Sequence, residues 1–402
     1  MSQFCMSCME QYDDNLTVCP HCGSDRTVGD DALHIPQGTV LRERYIVGKC
    51  LGFGGFGVTY IGYDALLEHK VAIKEYLPSE FSTRAIGDTA VTIIGGEADQ
   101  RAEQFHDGLV KFHEEAKRLA KFSSVDGIVK IFDTFEENNT AYIIMELLEG
   151  ETLSARLERD GKIPHEEAVG LILPIAESLA SVHETGIIHR DIAPDNVFLT
   201  KDGKAKLIDF GAARYASSTH SKSLTMLIKP GFSPVEQYQS KDPQGSFTDV
   251  YALSAVLYRM ITGIDPPDAL NRLTSLRNKR TDLLQPASKH CKDIPDDLEN
   301  AILNALNLRA EDRTATMNDF IAELKSETRV RRRKGRIKGV DFFTWPLWAK
   351  ILVPTAAVLI LTLGTLFAAG IIGFRNDIQE HIFIPDGMSR VPSVVNTGMA
   401  DA

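Results

Sequence analysis

Basic residues are in deficit in this chain: 44 Lys and Arg stand against 55 Asp and Glu over 402 residues, a formal net charge of −11 at pH 7. A protein that neutralises phosphate backbones has the opposite balance, so no nucleic acid is expected as a partner. The N-terminus lacks a positive start followed by an apolar run, and no signal peptide is expected. Cysteine is scarce, six in all, and four of the six fall within the first 25 residues. Charge is missing altogether from residues 351–374. The rest, 43% hydrophobic and 25% charged, is ordinary globular material, long enough for a large domain with appendages.

The uncharged stretch from Ile351 to Phe374 covers about 24 residues, long and uniformly apolar enough to cross a bilayer as a helix. Trp345 and Trp348 stand at its start, as interfacial anchors would. Arg329, Arg331, Arg332, Arg333, Lys334, Arg336 and Lys338 crowd its N-terminal side. The positive-inside rule then places Met1 to Lys350 in the cytoplasm and Arg375 to Ala402 outside. A nuclear-localisation or nucleic-acid reading of the basic run is the alternative, but the adjoining span already accounts for it.

Cys5-Met6-Ser7-Cys8 and Cys19-Pro20-His21-Cys22 give C-x2-C, ten residues, C-x2-C. This spacing gathers four thiolates around a tetrahedral zinc, and the segment has too few apolar residues to fold without metal. Two disulfides are the poorer reading in a reducing cytoplasm. His21, inside a knuckle, is expected to be exposed and not a ligand; Cys50 and Cys291 are expected as buried lone thiols. A closed four-cysteine site leaves no open coordination position, so an interaction or regulatory role is expected.

Leu51-Gly52-Phe53-Gly54-Gly55-Phe56-Gly57-Val58 follows the extended run Tyr45-Ile46-Val47 and has the G-x-G-x-x-G-x-V form, in which glycine lets backbone amides close over phosphate oxygens. A Rossmann nucleotide turn or a plain glycine-rich hairpin would match the loop alone. Val71-Ala72-Ile73-Lys74 follows, its lysine able to hold phosphate as a point charge. A helical stretch from Phe105 to Phe122 has Glu114 and Glu115 side by side. His189-Arg190-Asp191 leads to Asn196, and Asp209-Phe210-Gly211 follows the short run Lys206-Leu207-Ile208.

With these motifs in this order, the chain resembles the eukaryotic-like protein kinases and, within them, the bacterial serine/threonine kinases of the transmembrane type, over roughly residues 45–324. The resemblance implies that Asp191 orients or accepts the proton of a substrate hydroxyl, that Lys74 holds the α and β phosphates of ATP, and that Asn196 and Asp209 hold Mg2+ or Mn2+. It implies that residues 51–58, Ala72, Lys74 and Glu115 serve the nucleotide site, Glu115 pairing with Lys74 while Glu114 is solvated, with Glu146 and Leu148 offering backbone groups to adenine. Asp249 matches a brace of the catalytic loop, and Arg313 a partner of the Glu236 carboxylate.

Two departures stand out. The family usually has lysine two residues after the catalytic aspartate, where this chain has Ala193, and a threonine where this chain has Lys229. Either Lys229 projects into the site and replaces the absent lysine as a catalytic group, or it is a surface lysine before Pro230. Tyrosine kinases also lack the Ala193-position lysine, so serine/threonine preference rests on the resemblance. Arg190 suggests control by phosphate on the activation loop, where Ser217, Ser218, Thr219, Ser221, Ser223 and Thr225 lie. The forty or so residues between Lys74 and Glu115 exceed what this connection needs and read as a small hairpin plus a lengthened helix.

The expected fold class is α+β: a two-lobed protein-kinase fold with a small N-terminal zinc ribbon and one C-terminal transmembrane helix. The expected organisation is zinc ribbon 1–26, linker 27–44, kinase domain 45–325, basic juxtamembrane segment 326–346, transmembrane helix 347–374 and extracytoplasmic tail 375–402. That tail ends in Val391-Pro392-Ser393-Val394-Val395, faintly similar to the opening of a PASTA repeat. The expected activity is ATP-dependent transfer to serine or threonine at the bacterial inner membrane, with autophosphorylation of the activation loop. An ATP-binding pseudokinase-like scaffold or membrane adaptor is the alternative. Expected cofactors are ATP, Mg2+ and structural Zn2+. Expected partners are protein substrates, the membrane, a protein bound by the zinc ribbon and a second copy of the chain as a homodimer.

Overall fold

The structure, a computed structural model, describes residues 2–25, 33–55, 57–96, 100–123, 125–209, 228–238, 242–278, 280–327 and 329–333. The chain divides into two units, Met1–Ile337 and Lys338–Ala402, and the second lies wholly outside the described residues. The expected membrane span, outer tail and basic run from Lys334 onward therefore fall outside them, as do Phe56, Phe210, Gly211 and the six activation-loop hydroxyls. Among the described residues no helix is long and apolar enough to cross a membrane.

At the N-terminus, β1 (Ser2–Phe4) and β2 (Gln11–Asp13) pair antiparallel and bracket the first cysteine pair. The larger sheet has six strands in the order β3-β4-β5-β6-β10-β9. These are β3 (Val40–Leu41), β4 (Tyr45–Gly54), β5 (Gly57–Asp64), β6 (His69–Tyr76), β9 (Ile131–Glu137) and β10 (Thr140–Glu146). Its central strand, β6, has Val71, Ala72 and Ile73 buried in succession, because the sheet is covered on both faces. Between β6 and β9, the expected hairpin is present as β7 (Ser82–Arg84) and β8 (Val91–Ile93).

The expected long helix, α1, runs Gln100–Leu119 and tightens into a 3-10 turn over Ala120–Phe122. Ala102, Phe105, Leu109, Phe112, Ala116 and Leu119 recur at spacings of three and four, which puts them on one buried face. Phe105 and Phe112 close on the Tyr76 ring at 5.2 and 5.4 Å. Behind the sheet lies a buried polar network centred on the fully buried ion pair of Glu75 with Arg84. The Tyr60 and Tyr142 hydroxyls each donate to Glu75 at 2.8 Å, and Arg84 also donates to Leu33 O and Thr89 O at 3.1 Å. The charges are thus paired and hydrogen-bonded, as burial requires.

Among the described residues the second lobe is helical apart from a small sheet of β11 (Gly150–Thr152), β12 (Val197–Thr200) and β13 (Ala205–Leu207). Its helices are α2 (Leu153–Asp160), α3 (His165–His183), α4 (Ser246–Thr262), α5 (Ala269–Arg277), α6 (Asp296–Ala305) and α7 (Met317–Leu324). Helix α4 is buried nearly all round, and α3, α6 and α7 pack about it or against each other. The expected Arg313–Glu236 pair is a buried fork, with contacts of 2.6 and 3.1 Å. One expectation is corrected: Cys50 and Cys291 are only partly buried. Cys50 lies where β4 shifts register against β5, and Cys291 lies 3.1 Å from the exposed Asp293 carboxylate.

Candidate active site

Lys74 sits on β6 between Thr59 of β5 and Ile143 of β10, so two flanking strands fix where its stem begins. Its Nζ reaches Asp209 Oδ1 at 2.5 Å. Burial pushes the Asp209 carboxyl up, but the Lys74 ammonium outweighs it and holds the group below the usual carboxylate range. Glu115, expected as the partner of Lys74, is buried on the inward face of α1, while the lysine's direct ion pair is with Asp209. Glu114 is exposed beside Lys117, as expected.

The loop before β12 presents Asp191 and Asn196 together. Asn196 Nδ2 donates to Asp191 O and Oδ2, both at 2.7 Å, which turns its amide oxygen away from the aspartate. Ile208 N–H donates to Asn196 O at 3.0 Å, tying this loop to the segment that ends in Asp209. His189 Nε2–H donates to Ile208 O at 3.2 Å and its Nδ1 accepts from Asp191 N–H at 3.3 Å, while burial lowers the ring's pKa. Asp249, wholly buried in α4, accepts from His189 N at 2.7 Å, Arg190 N at 2.8 Å and His183 Nε2 at 2.7 Å. These bonds hold Arg190 at φ 69, a left-handed conformation that a non-glycine residue keeps only under local constraint.

Lys229 points into this loop. Its Nζ lies 3.2 Å from Asp191 Oδ1 and 3.0 and 2.9 Å from the two oxygens of Asp195. Burial raises the Asp191 carboxyl above its ordinary value, and the Lys229 charge opposes that rise. Asp195 was missed in the sequence; the signal available was a second carboxylate four residues after Asp191, in a loop whose lysine is absent.

Above the loop, Ala72, Val129 and Met145 form a small buried apolar cluster separate from the main core, with Leu147, Leu148 and Ile208 packed against it. Glu146 N–H donates to Lys130 O at 2.9 Å, so the backbone group it can offer a ligand is its carbonyl. Leu51 and Phe53 are exposed along the glycine-rich turn, whereas Val58 is buried. Gly57 closes that turn against β6: a Cβ there would lie 2.1 Å from Glu75 O. Gly57→Ala should therefore lift the turn and raise the KM for ATP by about tenfold, the equivalent of about 1.4 kcal/mol. A nucleotide titration of the variant checks this, and an unchanged KM would remove Gly57 from the site. A cavity of about 730 Å³ near α2 and β12 lies apart from this cleft, and its Arg156 and Arg159 are paired with Glu167 and Glu151.

At the N-terminus the four sulfurs of Cys5, Cys8, Cys19 and Cys22 all lie within 4.8 Å of one another. Cys5–Cys22 and Cys8–Cys19 are 3.6 and 3.8 Å apart, far beyond a disulfide bond. A zinc tetrahedron with Zn–S arms of about 2.3 Å has edges of about 3.8 Å, so the donor set fits that ion. His21 is exposed, as expected.

A β-rich lobe holding a lysine above a helical lobe that presents Asp191, Asn196 and Asp209 defines a two-lobed phosphate-handling fold. The chain belongs to the protein kinase domain family, whose model matches residues 45–326. It is 32% identical over 290 residues to a probable serine/threonine-protein kinase of Clostridium acetobutylicum, covering 72% of this chain and 40% of that one. It is 29% identical to the serine/threonine-protein kinase PknB of Mycobacterium leprae, covering 71% of this chain and 43% of the relative. The chain thus spans about two fifths of the length of these relatives. A solved structure described as the apo form of PpkA-294 superposes with a TM-score of 0.64 at 31% identity, covering 73% of this chain and all of that one.

Proposed function

We propose that this protein is an ATP-dependent serine/threonine protein kinase. The observation that carries this reading is the meeting of Lys74, Asp191, Asn196 and Asp209 in one cleft, under the glycine-rich turn and beside the small apolar cluster. That cluster suits a flat apolar base such as adenine, with backbone groups at Glu146 and Leu148 to orient it. Asp209 and the outward-turned amide oxygen of Asn196 are hard oxygen donors of the kind Mg2+ takes. When bound, that ion would neutralise phosphate charge during transfer. Lys74 would then exchange its contact with Asp209 for phosphate oxygens. Asp191 would orient the substrate hydroxyl and take its proton.

Lys229 supplies the second cation of the site in this reading, standing where charge develops on the transferred phosphate and filling the role left open at Ala193. Phosphorylation within 211–230 would act through Arg190. The four N-terminal cysteines would hold structural zinc, and residues 347–374 would anchor the chain in the bacterial inner membrane with the kinase on the cytoplasmic side. Transfer of labelled γ-phosphate from ATP with magnesium, followed by phosphoamino-acid analysis, tests the proposal. Phosphoserine or phosphothreonine is expected. Tight nucleotide binding with no transfer to any protein would replace the enzyme with the scaffold.

A further inference from the structure

The cysteine module is fastened to the strand that leads into the glycine-rich turn. Met6, inside the first knuckle between Cys5 and Cys8, accepts a hydrogen bond at its carbonyl from Lys49 N–H at 2.6 Å. Lys49 lies three residues before Gly52, in the stretch where the β4–β5 register shifts between Val47 and Cys50. The knuckle therefore supplies a partner where the sheet ladder is interrupted. One residue earlier, Gly48 leaves no room for a side chain: a Cβ there would lie 2.1 Å from Met9 Cε and 2.5 Å from Met6 O. Met9 is itself only 1% exposed. Two further contacts secure the docking, the Phe4 and Tyr63 rings at 4.5 Å and the Glu10–Lys70 ion pair at 2.6 Å. Together they reach β4, β5 and β6, the three strands that carry the glycine-rich turn and Lys74.

Little within the module would hold the Met6 carbonyl in place without a metal. Its own apolar cluster is Cys5, Tyr12 and Cys19, the buried Met9 being packed against Gly48 of β4 instead, and its strands are three residues long. The knuckle's own backbone bonds, Met9 N–H to Cys5 O at 2.7 Å and Cys5 N–H to Glu10 O at 2.9 Å, close a loop that a metal on Cys5 and Cys8 would clamp from the other side. We propose that the metal-loaded module is a clamp on the glycine-rich strand, so that its docking sets the affinity for ATP while leaving the chemical step alone. The proposal rests on the zinc reading above.

The test measures zinc content and the affinity for a non-hydrolysable ATP analogue in the full-length protein, for the wild type, Gly48→Ala and Met9→Ala. Gly48→Ala forces the knuckle off β4 from the kinase side; Met9→Ala loosens the same contact from the module side, outside the kinase domain. Both variants should keep one zinc per chain, and in both the dissociation constant should rise by about three- to tenfold, the factor that one lost net hydrogen bond represents. The KM for ATP should rise with it, kcat should hold, and hydrogen exchange at the Lys49 amide should quicken. Zinc retained with unchanged affinity in Met9→Ala overturns the clamp and leaves the zinc reading standing. Wild-type protein that binds no zinc overturns both.

Discussion

Turnover falls by about 100- to 10,000-fold in Asp191→Asn, the range that a positioned proton acceptor contributes. The substitution keeps the shape of the side chain and an oxygen able to accept from Asn196 Nδ2, so the loop is held as before. What is lost is the negative charge and the basic site for the substrate's hydroxyl proton. Nucleotide affinity should be nearly unchanged, because Lys74, the glycine-rich turn and the apolar cluster are untouched. Single-turnover transfer from labelled ATP, set beside an equilibrium titration with an ATP analogue, separates the two effects. Wild-type turnover in Asp191→Asn would place the chemistry elsewhere.

Lys229→Met should lower kcat by about 100- to 1,000-fold, the cost of removing one preorganised charge-stabilising group from an active site. It should also change the pH profile. Burial raises the Asp191 carboxyl and Lys229 is the foremost of the groups that oppose the rise, ahead of His189 and the Asn196 amide, so removing the lysine moves the pKa further up. The base is competent only when deprotonated, and the acid limb of kcat/KM therefore shifts to higher pH in Lys229→Met. Lys229→Arg, which keeps the charge, should hold the limb near its wild-type position and recover part of the rate. A lysine that merely packs on the surface would move neither quantity, and a Lys229→Met enzyme with unaltered kcat and acid limb would be that case.

How much of this was legible in the sequence depended on distance along the chain. Lys74, Asp191, Asn196 and Asp209 belong to short motifs whose spacing was enough to single them out as neighbours, and the alternation and helical repeat between Lys74 and Glu115 announced the hairpin and α1. The pairing of groups from different motifs was less accessible. Glu115 was matched to Lys74 by position, but the lysine's short contact is with Asp209, because strand register and loop path decide which carboxylate arrives within reach. Asp195 and Lys229 stand 34 positions apart, and no local pattern joins them; only the fold brings the ammonium between two aspartates. The docking of the cysteine module was equally hidden. Gly48 and Lys49 read as ordinary strand residues until Met6 and Met9 are seen against them.

The buried pair of Glu75 with Arg84 has a bearing on Lys74 that follows from the two-residue repeat of a strand. Consecutive side chains on β6 face opposite ways, so Glu75 enters the sealed network while Lys74 enters the cleft. Sliding β6 by a single position against its neighbours would turn the carboxylate toward the cleft and drive an ammonium into an interior already occupied by the Arg84 guanidinium. Two like charges would then share a space without water, and Tyr60 and Tyr142 would lose the acceptor that their hydroxyls are aimed at. The network acts as a ratchet pawl for the strand: whatever it adds to stability, it makes the off-by-one alignment prohibitive, and Lys74 faces the cleft because its neighbour cannot.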